Sequence, residues 1–224
     1  MTLTYKSTGG ENYPVLPGQV WRVGSHLIRC GDLMNARDLD WLGSFSPQLI
    51  YCDPPWGQAL ATAARTKAGL SDYVSSRDLF VRVFEWIATL RPTMPVYFEQ
   101  GRKWVKEMQQ FAVDAGLEVE QEWAITYDRK VPATLTLFNF NGYKTNYGDL
   151  TGIDDTVTPL RAIEFATRQG TNAIVMDPMT GRGQTAVSAA QAGRTFVGME
   201  LSPHRVSVTL TKLAKVTGKE PIRE

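Results

Sequence analysis

Several apolar runs of the sequence end in an acidic residue, and these carboxylates are the first candidates for chemistry. If the runs are parallel strands, their carboxyl ends share one edge of a sheet, and ligands bind outside that edge. Four carboxylates there predict a ligand that offers hydroxyls, amines or a positive charge. The residues are Asp32 after Leu27–Cys30, Asp53 after Gln48–Cys52, Asp177 after Ala173–Met176, and Glu200 after Thr195–Met199.

The tetrapeptide Asp53-Pro54-Pro55-Trp56 is the most specific of these signals. Its two prolines fix the backbone just after a buried strand. They hold a carboxylate, a backbone carbonyl and a large aromatic ring within four residues. A rigid turn with a packed tryptophan is the structural alternative, and the motifs described next favour a functional site.

The segment Asp177–Thr185 follows a predicted strand and precedes a predicted helix. Gly181 and Gly183 can adopt positive φ and let a ligand approach the backbone. Glu200 follows about 20 residues later, a spacing at which an acidic residue binds ribose hydroxyls in dinucleotide-binding units. The third glycine of the nicotinamide fingerprint is missing, which argues against a dehydrogenase.

Together these motifs resemble the β class of S-adenosylmethionine-dependent DNA amino-methyltransferases, which methylate exocyclic amines of bases. Asp53–Trp56 matches the catalytic motif, and Asp177–Thr185 resembles the cofactor loop that follows it in the permuted order of this class. Three other stretches agree with the resemblance: the lead-in Val20–Asp32, the ribose-binding strand Gly198–Arg205 and the motif X helix Thr158–Glu164.

The resemblance implies an α/β, Rossmann-like methyltransferase fold with a mostly parallel twisted sheet, helices on both faces and permuted motif order. It implies S-adenosyl-L-methionine as cofactor, with Asp32 near its adenine, Asp177 near its methionine end and Glu200 near its ribose. The complete predicted cofactor set is Asp32, Asp53, Pro159, Asp177, Pro178, Met179, Thr180, Gly181, Gly183, Gln184, Thr185, Glu200 and Leu201.

The predicted catalytic residues are Asp53, Pro54, Pro55 and Trp56. The Asp53 carboxylate and the Pro54 carbonyl would each accept one hydrogen of the target amine, while Trp56 stacks on the base. DNA is the predicted partner. Candidate contacts to it are basic residues in or beside two loop-like stretches: Arg65, Lys67, Arg77, Arg129, Lys130 and Lys144.

The sequence leaves several alternatives for the substrate and the function. The motif begins with Asp, which favours adenine N6 over cytosine N4. An RNA adenine methyltransferase is a further alternative, because the messenger-RNA enzymes also carry Asp-Pro-Pro-Trp. A non-catalytic, methyltransferase-like binding subunit is the alternative from another class. The compact chain suggests an orphan or restriction–modification enzyme, such as one from a phage, and dimerisation could supply further DNA contacts.

The elements that must position these residues alternate between short apolar runs and helical patterns, as in α/β proteins. Further strands are predicted at Val96–Phe98 and Glu122–Tyr127, with a strand or hairpin at Thr134–Phe140. Two stretches, Gln58–Ser76 and Asp128–Asp155, look like long loops. Apolar residues at helical spacing predict five helices: Arg77–Leu90, Lys103–Ala115, Pro159–Gln169, Gln184–Ala192 and Pro203–Val216.

Composition sets the remaining limits. The chain has 224 residues, is 43% hydrophobic and 21% charged, and carries a formal net charge of +1, which is typical of one soluble domain. We expect a polar tail over 1–18, one catalytic domain over 19–218 with a small recognition insert near 128–155, and a loose tail over 219–224.

We expect a cytoplasmic protein with no membrane segment. Cys30 and Cys52 should be buried free thiols, and no metal site is indicated.

Overall fold

The computed structural model describes residues 13–91, 93–128, 130–140, 148–167 and 172–224. Within these ranges the chain forms one nine-stranded sheet with the strand order β5-β6-β4-β3-β7-β8-β2-β1-β9. The five central strands, β4, β3, β7, β8 and β2, are parallel to one another. The antiparallel strands flank them, so the expected mixed, mostly parallel sheet of an α/β fold is confirmed.

Each predicted apolar run overlaps an observed strand, although β5 begins four residues before its predicted start, and β1 and β9 were not predicted. β3 and β7 contain apolar residues on both faces, which is typical of strands covered on both sides. The strands are β1 (Val20–Val23), β2 (His26–Cys30), β3 (Leu49–Cys52), β4 (Val96–Gly101), β5 (Glu118–Tyr127), β6 (Val131–Asn139), β7 (Ile174–Asp177), β8 (Thr195–Glu200) and β9 (Ile222–Arg223).

Helices cover both faces of the sheet, and an apolar core lies between the sheet and the helices on each face. α5, α6 and α7 pack on one face, and α1, α3 and α4 pack on the other. The helices are α1 (Ala36–Gly43), α2 (Gln58–Lys67), α3 (Ser76–Thr89), α4 (Val105–Asp114), α5 (Thr158–Ala166), α6 (Gln184–Gln191) and α7 (Pro203–Thr217). In the described ranges, none of these helices combines the length and the apolar character that crossing a membrane requires.

Two predictions about irregular segments were wrong. The stretch expected to be a loop from Gln58 contains α2, whose alanines, glutamine and basic residues have high helix propensity but form no clear apolar stripe. The C-terminal segment expected to be loose contains β9, which pairs with β1 at the sheet edge. Thr134–Phe140, left open between a strand and a hairpin, belongs to β6, which forms a hairpin with β5. Both cysteines are buried free thiols, as predicted.

The strand order places a topological switch point between β3 and β7. From β3 the chain continues to β4 on one side, and from β7 it continues to β8 on the other. The loops that follow two such strands diverge and leave a crevice at their carboxyl ends, which is where open α/β sheets bind ligands. Asp53 follows β3 and Asp177 ends β7, so the two predicted acidic residues flank this crevice.

Candidate active site

A cavity of about 690 Å³ lies at this carboxyl edge. Its volume is in the range typical of small-molecule sites. It is lined by all four residues of the Asp-Pro-Pro-Trp motif and by 12 of the 13 residues of the predicted cofactor set. The exception is Gly183, which begins α6 with a φ of 80° and lies so close to Thr209 that an added Cβ would be 2.6 Å from it. Gly183 therefore serves the packing of α6 on α7.

The carboxylate of Asp53 is fixed by its own motif. The Trp56 indole N–H donates a hydrogen bond of 2.9 Å to Asp53 Oδ1. The Asp53 side chain lines the cavity and is exposed to it. Burial among protein atoms raises the pKa of Asp53 to about 7, and the Trp56 N–H opposes that rise. Within the part of the chain that the structure describes, the other oxygen, Oδ2, has no hydrogen-bond partner and can accept a hydrogen bond from a ligand.

The Trp56 ring is held by two residues from distant strands. Its centroid lies 4.8 Å from that of Tyr127 on β5, in an edge-to-face arrangement. An added Cβ on Gly101, at the end of β4, would come within 2.8 Å of the Trp56 ring. Glycine at position 101 is thus required for the ring to lie against this strand.

A second carboxyl lies beside Asp53. Cys52 on β3 pairs with Phe98 on β4. Successive side chains of a strand point to opposite faces of the sheet, so the next residues, Asp53 and Glu99, are neighbours on the face opposite to Cys52 and Phe98. The Tyr51 hydroxyl donates a 2.9 Å hydrogen bond to Glu99 Oε2. Burial and then the Asp53 charge raise the pKa of Glu99 well above its usual range. Glu99 is only 2% exposed and lines the cavity.

On the other side of the crevice, Asp177 organises the glycine-containing loop. Its Oδ1 accepts a 2.9 Å hydrogen bond from the backbone N–H of Met179. Burial raises the pKa of Asp177 to about 7, while hydrogen bonds from Thr185 and Met179 lower it. Beyond it, Gly181 has a φ of 58° and faces open space, because an added Cβ would meet only the Met179 carbonyl, at 3.9 Å.

Glu200 connects this loop to the end of β8. Its Oε2 accepts a hydrogen bond from the Gly181 N–H and its Oε1 accepts one from the Ser202 N–H, each of 2.9 Å. Burial raises the pKa of Glu200, and the positive charge of Arg205 opposes the rise. Each carboxylate oxygen has a second lone pair, so Glu200 can still accept hydrogen bonds from a ligand.

Asp32 is positioned by two charged neighbours. Its backbone N–H donates to Asp38 Oδ2 at 2.8 Å, which fixes the loop after β2. Its carboxylate pairs with Arg65 of α2, with 3.0 Å between Arg65 Nη1 and Asp32 Oδ2. Arg65 Nη2 lies 2.5 Å from Asp72 Oδ2. The Arg65 side chain is 8% exposed, and its ion pairs join α2 to the cavity wall.

The other predicted DNA contacts are dispersed. Lys67 is exposed at the end of α2 and lines the cavity mouth, and Lys130 is exposed between β5 and β6. Arg77 lies over the Phe111 ring, 5.7 Å from its centroid. Arg129 and Lys144 lie outside the described residues.

The motif X prediction places Pro159 in the first turn of α5, where it is buried and lines the cavity. Just before this helix, the Thr156 carbonyl accepts a 2.6 Å hydrogen bond from the Gln184 side chain. This contact joins the start of α5 to the start of α6. Pro159 and the glycine-containing loop 177–185 therefore belong to one wall of the site.

Several cavity residues were not predicted from the sequence: Tyr51, Glu99, Tyr127, Asp155 and Arg205. Glu99 carried a usable signal, because it directly follows the apolar run Val96–Phe98 as Asp53 follows its own run. Tyr127 and Asp155 carried none, since their approach depends on how β5 and the segment before α5 fold onto the sheet edge. Among the described residues, no three His, Cys, Asp or Glu side chains are grouped so as to hold a metal ion.

Comparison with solved structures shows that the fold is shared with known proteins. The crystal structure of the M1.HpyAVI–SAM complex aligns with a TM-score of 0.62 at 12% identity, covering 83% of this chain and 98% of that one. TTHA0409 from Thermus thermophilus, a candidate DNA modification methylase complexed with S-adenosyl-L-methionine, gives 0.62 at 16% identity, with 85% and 94% covered. The cytosine-N4-specific PvuII DNA methyltransferase gives 0.58 at 13%, with 85% and 89% covered.

No family model matches the sequence, and a search of curated proteins found no match either. The likeness is therefore one of architecture. It confirms the expected α/β methyltransferase-like fold at identities below 20%.

Proposed function

We propose that this protein transfers a methyl group from S-adenosyl-L-methionine to the exocyclic amine of a DNA base, with adenine N6 as the favoured target. The observation that carries the proposal is the position of Asp53-Pro54-Pro55-Trp56 at the β3–β7 switch point. There the motif shares one cavity with Asp177, Gly181 and Glu200. Structural neighbours that are DNA methyltransferases or are solved with this cofactor support the proposal.

The residues of the cofactor wall fit S-adenosyl-L-methionine. Its sulfonium and ammonium groups are cationic, and the cavity is lined by Asp32, Asp53, Asp177 and Glu200. Gly181 leaves room for a ligand beside the backbone, and Glu200 retains lone pairs for ribose hydroxyls. When bound, the cofactor supplies an activated methyl group on sulfur.

Asp53 and Pro54 carry the chemistry on the opposite wall. The exocyclic amine is a weak nucleophile, because its lone pair is delocalised into the ring. The Asp53 carboxylate and the Pro54 carbonyl accept its two hydrogens, which favours a tetrahedral nitrogen whose lone pair faces the methyl group. The new N–C bond forms as the C–S bond breaks, and the surplus proton on nitrogen passes to Asp53. A pKa near 7 suits this carboxylate to that role.

Trp56 holds the base in this arrangement. Removing a base from a duplex costs a few kcal/mol, and aromatic stacking returns about 1–3 kcal/mol per base. Trp56 alone therefore holds a flipped base only marginally, and other residues of the cavity have to contribute. Positioning and electrostatics supply most of the rate, and no covalent enzyme intermediate is needed.

The proposal extends to the organisation of the chain. The catalytic domain spans residues 19–218, and the segment near 128–155 contributes the recognition insert. A short insert implies a short or relaxed recognition sequence, or DNA contacts from a second copy of the chain.

One experiment tests the function directly. The purified protein is incubated with radiolabelled S-adenosyl-L-methionine and unmodified DNA, with single-stranded RNA in parallel. Digestion of the product to nucleosides then identifies the methylated base. We expect N6-methyladenine in DNA. N4-methylcytosine, or label in RNA alone, would correct the substrate, and cofactor binding without label in either polymer would favour the non-catalytic subunit.

A further inference from the structure

Glu99 has a hydrogen-bonding capacity that the proposed chemistry does not use. Its Oε2 accepts the Tyr51 hydroxyl, whereas its Oε1 is buried without a hydrogen-bond partner among the described residues. A buried polar atom without a hydrogen-bond partner is unfavourable, so such an atom in a cavity wall points to a ligand group that binds there. Glu99 lies in that wall, next to Asp53 in the strand register.

The surroundings of Glu99 raise the pKa of its carboxyl group and thereby favour the neutral form. The titratable groups that influence it are the hydroxyl of Tyr51 and the carboxyls of Asp53, Asp154 and Asp155. Burial is the largest cause of its raised pKa, and the negative charge of Asp53 is the next. Since the Tyr51 hydroxyl donates to Oε2, the proton of the neutral acid lies on Oε1. The wall thus presents a donor at Glu99 beside an acceptor at Asp53.

We propose that Glu99 recognises the ring nitrogen next to the target amine, by donating the Oε1 hydrogen to it while Asp53 accepts from the amine. This inference rests on the proposed function and narrows its substrate class. Adenine (N1 beside N6) and cytosine (N3 beside N4) both present an acceptor next to a donor. The O6/N1 edge of guanine and the O4/N3 edge of thymine present the reverse, a carbonyl oxygen beside a ring N–H, so the pair Asp53–Glu99 does not match these edges.

The same contact controls which nitrogen reacts. The ring nitrogen of adenine or cytosine carries an in-plane lone pair and is a better nucleophile than the adjacent amine. A hydrogen bond from Glu99 occupies that lone pair. Methylation is thereby directed to the exocyclic amine.

The first test uses the unchanged protein. Oligonucleotides carry the mapped methylation site with either the natural base or its analogue lacking the ring nitrogen, 1-deazaadenine or 3-deazacytosine. We expect kcat/KM to fall about tenfold to 100-fold on the analogue, because the Glu99 donor is left unpaired. Equal rates on both substrates would overturn the inference but leave the proposed function intact. Absence of methylation on the natural base would contradict the proposed function itself.

Two variants then assign the effect to Glu99. Glu99→Gln retains an N–H donor at every pH, whereas Glu99→Leu removes it. The leucine variant should lose about as much activity on the natural base as the analogue does with the unchanged protein, and should no longer distinguish the two substrates. Its affinity for the cofactor, measured by calorimetry, reports whether the fold is intact. If Glu99→Leu still showed the full fall in kcat/KM from the natural base to the analogue, the contact to the ring nitrogen would belong to another residue.

The pH profile gives an independent readout. As the pH rises through the pKa of Glu99, the donor becomes a second carboxylate beside Asp53, and activity of the unchanged protein should decline. Glu99→Gln should abolish this alkaline decline. An alkaline limb that is identical in both proteins would overturn the inference.

Discussion

The two walls of the cavity are built in different ways. In the cofactor wall, Asp177 and Glu200 bind backbone N–H groups of residues close to them in sequence or in the adjoining loop, at Met179, Gly181 and Ser202. In the catalytic wall, Asp53 accepts instead from a side chain, the indole of Trp56. The residues that pack against that indole, Gly101 and Tyr127, lie on the distant strands β4 and β5.

The difference has a physical consequence. Carboxylates that are bound by backbone donors are held in place before a ligand arrives, which suits binding of a common cofactor. The carboxyls of both walls have raised pKa values, about 7 for Asp53 and for Asp177. Among the described residues, the catalytic wall differs in containing a buried carboxyl oxygen without a hydrogen-bond partner, Glu99 Oε1. An unsatisfied buried group of this kind calls for a functional explanation. The comparison therefore predicts that changes in one wall affect binding and changes in the other affect turnover.

The largest effect is expected at Asp53. Asp53→Asn keeps the shape but removes the negative charge and one acceptor for the amine. Methyl transfer should fall by about 100-fold or more, since electrostatic and positioning terms dominate such reactions. Cofactor affinity measured by calorimetry should change little. Asp149→Asn, at an exposed residue outside the cavity, is the control. Full activity in Asp53→Asn would contradict the mechanism.

Glu200→Ala should show the opposite pattern. It removes a carboxylate that accepts from two backbone N–H groups and, as proposed, from the cofactor ribose. We expect cofactor affinity to weaken about tenfold to 100-fold, the range for losing a charge-assisted hydrogen bond. At saturating cofactor, kcat of the variant should approach that of the unchanged protein, whereas its kcat/KM for the cofactor should stay low. Unchanged affinity would remove Glu200 from the binding wall.

Trp56→Phe tests the link between the indole and Asp53. The variant keeps an aromatic ring but loses the N–H that donates to Asp53 Oδ1, so kcat/KM should fall about tenfold. Asp53 acts as a carboxylate, so kcat/KM rises with pH through its pKa of about 7. Because the indole N–H lowers that pKa, its loss should move the rising limb to higher pH. The control variant Trp41→Phe, at a tryptophan of α1, should leave the pH dependence of kcat/KM unchanged.

The smallest effect is expected at the cavity mouth. Lys67→Ala removes an exposed charge from the end of α2, and DNA affinity should weaken a few-fold. The slope of log affinity against log salt should decrease by about one if Lys67 neutralises a phosphate. Lys215→Ala, an exposed residue of α7 that does not line the cavity, is the matched control. Equal salt slopes in the two variants would exclude Lys67 as a phosphate contact.

Much of the fold followed from local pattern. The central strands and five of the helices have apolar residues at periods that belong to one element type. Two helices, α1 and α2, were not predicted. α2 has small and charged residues, and it buries Arg65 only because Asp32 and Asp72 neutralise it. The missed strand β9 has two exposed residues and is defined by pairing with β1. Neither feature has a local signal, since each depends on a partner distant in sequence.

The sequence by itself determined that acidic residues follow apolar strands, that a rigid Pro-Pro turn carries Asp53 and Trp56, and that a glycine-containing loop precedes α6. These features depend on neighbouring residues, so they can be recognised without a structure. Only the tertiary structure decided that Glu99 lies beside Asp53 and that Arg65 closes on Asp32. The order in which strands assemble depends on packing across the whole sheet, and that order sets which distant side chains meet at its edge.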